Sequence, residues 1–210
     1  MIGYYNYTVI LTYLGLASGA TGIFFALKGN PFIAIICLLT AGLLDLFDGK
    51  VARTKKDRTN DEKSYGINID SLSDVICFGV LPACIGYSLG MDAYYFIPIF
   101  VMFILGGFIR LAYFNVIELN VFYGVQEEKQ TFYYGMPITM SSLILSGLCV
   151  LRPFVSYFYI YYAVALGVLA FLFVIKIKVP KPHKVSIIIL SIVGALITVA
   201  SIVVNIIYMI

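Results

Sequence analysis

Residues 41–74, AGLLDLFDGKVARTKKDRTNDEKSYGINIDSLSD, decide how the rest of this chain is read. An apolar run ends within them, a polar connection (54–65) follows, and a second apolar run opens with acids near its start. Placed on a helix, Asp45, Asp48, Gly49, Ala52 and Arg53 fall at offsets 0, 3, 4, 7 and 8 and share one face. Gly66, Asp70 and Asp74 follow at offsets 0, 4 and 8, again on a single face. The twelve-residue connection makes the two segments antiparallel neighbours whose acidic faces can meet.

Around this stretch the chain is strongly apolar. Its 210 residues are 61% hydrophobic and only 12% charged, with a mean hydropathy of +0.98. A soluble domain carries about 25% charged residues, so the bilayer is the expected solvent. Seven apolar segments are predicted, at 8–27, 31–53, 66–90, 93–116, 135–152, 156–176 and 184–209, against the roughly 20 residues that span a membrane. The last is long enough to tilt or to hold an eighth short span. The expected fold is therefore an all-α integral membrane protein, a helical bundle of about seven transmembrane helices forming one domain over 1–210. No basic region precedes the first apolar run, which reads as a retained anchor and not a cleaved signal. Cys37, Cys77, Cys84 and Cys149 lie inside apolar segments without close pairing, which favours structural thiols over a disulfide or zinc framework.

The basic residues orient the bundle. With the N-terminus inside, the inner connections carry Arg53, Lys55, Lys56, Arg58, Lys63, Lys129, Lys176, Lys178, Lys181 and Lys184. Lys50 and Arg110 sit near inner span ends, while only Lys28 and Arg152 fall outside. That distribution predicts a cytoplasmic N-terminus and a cytoplasmic acidic site in a cell-membrane protein. Tyrosines at 4, 5, 7, 94, 95, 133, 134, 157, 159, 161 and 162 gather near span ends, as an aromatic belt does. The mixed polar and aromatic connection 117–134 could form an interfacial helix.

Four carboxylates converging in a partly dry site repel one another. Each costs about 2.5–3.5 kcal/mol to place in a span before any repulsion. The dipole at the C-terminal end of the second span disfavours Asp45 and Asp48 further. A cation must offset this, and carboxylate oxygens suit Mg²⁺, Mn²⁺ or Ca²⁺ better than zinc. Gly49, Ala52 and Gly66 remove bulk beside the acids, so a ligand can approach the backbone. Taken singly, small residues in a membrane helix are packing contacts. A single aspartate there often pairs with a base, and Lys50, Arg53 and Lys55 are at hand. Four acids and three small residues in register on two helices are better explained as a metal site. Two ions about 3.5–4 Å apart suit attack on a phosphoryl centre.

The order Asp45-x-x-Asp48-Gly49-x-x-Ala52-Arg53 followed by Gly66-x-x-x-Asp70-x-x-x-Asp74 resembles the signature of the CDP-alcohol phosphotransferases. The connection between Arg53 and Gly66 is longer here than is usual in that family. DSLSDVICFGVLPA (70–83) is similar to the corresponding run of its phosphatidylserine-forming members. Arg110-Leu-Ala-Tyr-Phe-Asn115 resembles their R-L-A-R-F-N, with Tyr113 in place of an arginine, and Phe132-Tyr-Tyr-Gly135-Met-Pro137 resembles F-x-G-L-P with altered spacing. The resemblance spans approximately residues 10–175. It implies a six-span core, commonly in a homodimer, that displaces CMP from CDP-diacylglycerol or CDP-archaeol by the hydroxyl of L-serine. Glycerol phosphate or inositol phosphate are the alternative acceptors. By the same pattern Asp45, Asp48, Asp70 and Asp74 would hold Mg²⁺ or Mn²⁺, as a pair of ions, with Asp74 also the general base. Asp48, Gly49, Ala52, Arg53, Gly66 and Asp70 would meet the CDP group. The partners expected are membrane lipids and no nucleic acid.

Outside the signature, Arg110 and Asn115 are candidates for the serine carboxylate or lipid phosphate, with snorkelling of Arg110 to the headgroups as the plainer alternative. His183 reads as a solvated loop residue and Thr40 as a speculative nucleotide contact. Ser71 and Ser73 have no histidine beside them and read as packing or hydrogen-bonding residues. A cation pathway and an inert helical scaffold are the rival readings from other classes.

Overall fold

The computed structural model describes residues 3–125, 132–180 and 184–209. Asn6 opens it by capping a short 3₁₀ turn, Tyr7–Val9, with its side chain accepting from the Thr8 amide at 3.0 Å. Helix α1 (Ile10–Leu27) follows, and α2 (Pro31–Ala52) begins where Asn30 caps the Ile33 amide and Pro31 takes the first helical position. Next comes a composite helix of α3 (Asn60–Asp74), a π-helical turn (Val75–Val80) and α4 (Leu81–Ser88). The chain continues through α5 (Ile97–Phe122), α6 (Met140–Cys149), α7 (Phe158–Val174) and α8 (Lys184–Met209). The expected all-α membrane architecture is found. Beside it stands one two-stranded antiparallel ribbon, β1 (Phe132–Tyr134) with β2 (Lys178–Pro180), paired so that Tyr133 lies opposite Val179.

Five helical stretches are long and apolar enough to cross a membrane: Tyr7–Leu27, Pro31–Ala52, Asn60–Ser88, Tyr94–Phe122 and Ile189–Ile207. The fifth and sixth predicted segments form shorter apolar helices, Met140–Phe154 and Phe158–Val174. At 1.5 Å per residue the latter's 17 residues reach about 25 Å, short of a 30 Å hydrocarbon layer. Two boundaries also move. The third helix begins at Asn60 and not at 66, because Thr59 and Glu62 form a capping box. The fourth runs on to Phe122, so the predicted interfacial connection shortens, and the part at 126–131 lies outside the described residues, as do Lys129, Lys181 and His183.

The π turn has a local cause. Pro82 has no amide to offer the Phe78 carbonyl one turn before it, and Ser141 of α6 donates there instead, at 3.3 Å. Tyr162 of α7 ties the same region by donating to the Pro82 carbonyl at 3.1 Å. Close approach of the helices rests on small residues. A Cβ on Gly19 would lie 2.5 Å from the Cys77 sulfur, and one on Gly22 would lie 2.8 Å from Cys37 and 2.9 Å from Leu81. Gly135 takes a left-handed conformation (φ +75°) with the Phe173 carbonyl 2.6 Å from where a Cβ would stand. Leu38, Phe78, Leu81, Ile85, Phe103 and Tyr162 form the sealed centre of the bundle.

Candidate active site

The aspartate faces of α2 and α3 come together against α1. Carboxylate oxygens of Asp45, Asp70 and Asp74 all lie within 4.8 Å of one another. The Asp45 and Asp74 side chains are within hydrogen-bonding reach of each other, and so are those of Asp48 and Asp70. Asp48 and Asp74 are buried, Asp45 and Asp70 half-buried. All four line a cavity of about 10 Å³ closed by Thr12, Gly15, Ala41 and Phe78.

The three bases that stand nearest in the sequence are engaged elsewhere. Lys50 lies over the Phe47 ring at 5.0 Å, and Lys55 pairs with Glu62 at 3.0 Å, the one ion pair among the described residues. Arg53 is exposed and folds back so that its Nη2 is 3.9 Å from where a Gly49 Cβ would stand. Acids gathered this closely and this deeply fit a metal. Opposite oxygens on one hard cation are separated by about 4–5 Å, twice a bond of about 2.0–2.6 Å, and these carboxylate oxygens fall within that limit. Asp70 also keeps a buried oxygen, Oδ1, with no hydrogen-bond partner, as a coordination position would. The donor set, all carboxylate, is of the kind that suits a hard divalent cation.

Several contributors come from outside the signature. Thr12 of α1 donates its hydroxyl to Asp48 Oδ2 at 3.1 Å, fixing that carboxylate from the far side. Its only sequence signal is a hydroxyl on the helix face that also carries Gly15 and Gly19. Arg58, in the connection, donates to the Ala52 carbonyl at 3.4 Å and the Glu62 carbonyl at 3.0 Å. Its Nη2 stands 2.6 Å from where a Gly66 Cβ would be, so the small residue at 66 makes room for this guanidinium. Arg53 and Arg58 thus lie over the two glycines of the small-residue face.

The α5 candidates separate. Asn115 packs against α3, accepting at Oδ1 from the Ser71 hydroxyl at 3.0 Å, next in the chain to Asp70, though it does not line the aspartate cavity. Arg110 is buried and stacks its guanidinium over Phe114 at 4.6 Å, so it does not snorkel, and it does not line the aspartate cavity. Thr40 uses its hydroxyl on the Ile36 carbonyl of its own helix, at 2.8 Å, and stays exposed.

Comparison with known proteins identifies the family. The CDP-alcohol phosphatidyltransferase profile matches residues 5–169, from ahead of α1 to within α7. The archaetidylserine synthase of Methanothermobacter thermautotrophicus is 41% identical over 109 residues, 51% of this chain and 46% of its own length. The CDP-diacylglycerol–serine O-phosphatidyltransferases of Helicobacter pylori strain 26695 and Bacillus subtilis are 33% and 29% identical over 196 and 182 residues. These two matches cover 87% and 85% of this chain, and 75% and 93% of the relatives. The chain spans about half the length of the archaeal relative. With the aspartate signature assembled at one end of the bundle and the profile matched over most of its length, the chain belongs to the CDP-alcohol phosphatidyltransferase family.

Proposed function

We propose that this protein transfers the phosphatidyl or archaetidyl group of a CDP-lipid to the hydroxyl of L-serine and releases CMP. The convergence of Asp45, Asp48, Asp70 and Asp74 carries the reading, and the serine-using activities in the names of its relatives support the acceptor. The four aspartates would hold divalent metal, Mg²⁺ or Mn²⁺, which would supply positive charge beside the diphosphate oxygens. Arg53 and Arg58 present guanidinium groups over Gly49 and Gly66, where planar forks suit phosphate oxygens. Thr12 holds the Asp48 carboxylate in place for that task. Asp74 takes the proton of the serine hydroxyl while the serine oxygen bonds to the lipid-side phosphorus. The phosphorus–oxygen bond to CMP breaks, and CMP leaves with the electron pair. Asn115, held by Ser71 beside Asp70, is the acceptor-side contact.

In this reading the whole chain is one membrane domain with its N-terminus and site on the cytoplasmic face, and it works as a homodimer. The test is product identification. Purified protein with CDP-diacylglycerol, Mg²⁺ or Mn²⁺ and a panel of serine, glycerol phosphate and inositol phosphate should yield CMP and the serine phospholipid. A product from another acceptor alone overturns the serine assignment, and no CMP release with any of them overturns the reaction.

A further inference from the structure

A second, larger cavity of about 370 Å³ lies at the other end of α2, between that helix, the α6–α7 connection and α8. Phe32, Ile35, Cys149, Arg152, Ser201 and Asn205 stand in its wall. Ile35 precedes Asp45 by ten residues on the same helix, roughly 15 Å along its axis, so this space is separate from the aspartate site.

The polar residues here are out of character with their helix. The span Ile189–Ile207 has a mean hydropathy of 2.5, and Ile202, Val203, Ile206 and Ile207 all face outward. Ser201 and Asn205 lie one turn apart on the opposite, inward face. Thr198 satisfies its hydroxyl on the Gly194 carbonyl at 2.8 Å, as hydroxyls in membrane helices commonly do. Ser201 does not: it is 7% exposed, its Oγ has no partner, and it lines the cavity. Arg152 adds an exposed cation in the turn Arg152–Phe154. A space of ligand size with apolar walls, two inward polar groups and one guanidinium at the membrane edge suits an amphipathic anion.

We infer that this cavity binds an anionic phospholipid in the leaflet opposite the aspartates, its phosphate on Arg152 and its chains along Phe32 and Ile35. Ser201 and Asn205 hydrogen-bond the glycerol and ester oxygens. The reading of the reaction does not enter this assignment. The experiment is native mass spectrometry of the delipidated, purified protein titrated with phosphatidylglycerol, phosphatidylcholine and inorganic phosphate. The wild type should retain one phosphatidylglycerol in preference to phosphatidylcholine. Arg152→Gln should weaken that adduct about tenfold, and the Ser201→Ala, Asn205→Leu double variant should weaken both lipids several-fold. Melting temperatures check that each variant is folded, and the double variant decides if Arg152→Gln is not. Equal retention by folded variants and wild type overturns the site. So does binding of inorganic phosphate without a lipid adduct, or a second protein copy in place of lipid.

Discussion

Asp45 and Asp48 sit near the C-terminal end of an unbroken 22-residue helix, whereas Asp70 and Asp74 sit within a composite helix that changes pitch directly after Asp74. The α2 pair faces the negative end of a macrodipole and draws on a neighbour, the Thr12 hydroxyl, to orient one carboxylate. The α3 pair lies where the helix continues, so no helix end opposes it. Its orientation is instead anchored at both sides, by the capping box at Thr59 and by the π turn that presses Cys77 against Gly19. One helix places its acids by contact with a partner, the other by its own backbone. The acids of α3 therefore tolerate no change of register, and those of α2 depend on α1 staying close.

The largest effect is expected at Asp74. Asp74→Asn keeps the shape but removes the proposed base and ligand, and should lower CMP release about 10²–10⁴-fold with the melting temperature little changed. Activity surviving in that variant would move the chemistry away from the α3 pair. Stripping divalent metal with a chelator should abolish turnover, and restoring Mg²⁺ or Mn²⁺ should recover it where Zn²⁺ does not. Thr12→Val tests the dependence of α2 on α1. Loss of the 3.1 Å bond to Asp48 should weaken metal activation about 10–100-fold, read as a rise in the metal concentration needed for half-maximal rate. Gly19→Leu drives bulk into the Cys77 contact and should lower stability in detergent by about 1–3 kcal/mol, followed by thermal unfolding. The smallest effect belongs to Thr59→Ala, which removes one cap and should cost about 1 kcal/mol of helix stability while kcat stays within a few-fold. A larger fall in kcat there would mean that the anchor of α3 reaches the acids.

Much of the site was legible because its spacing is local. The intervals between Asp45, Asp48 and Gly49, and between Gly66, Asp70 and Asp74, need only a helix to share a face. The start of α3 was missed, although Thr59 and Glu62 are three residues apart in capping-box order, because the charges around them read as a loop. Arg58 was missed for the same reason, as a lysine- and arginine-rich connection looks like a topology signal and nothing more. Arg110 and Asn115 were grouped by motif, yet five residues on a helix turn through about 140°, and only Asn115 meets Ser71.

The sequence by itself determined the bilayer as solvent, the helices and the two acidic faces, because hydropathy and a 3.6-residue period are properties of single segments. Tertiary structure alone decided that Thr12 reaches Asp48, that Ser141 satisfies the carbonyl freed by Pro82, and that Ser201 and Asn205 face a cavity. Each of those joins groups far apart in the chain, and the pairing depends on how closely the helix backbones approach. In a membrane, where apolar surface exerts little pull between helices, that approach is set by small residues and buried polar contacts.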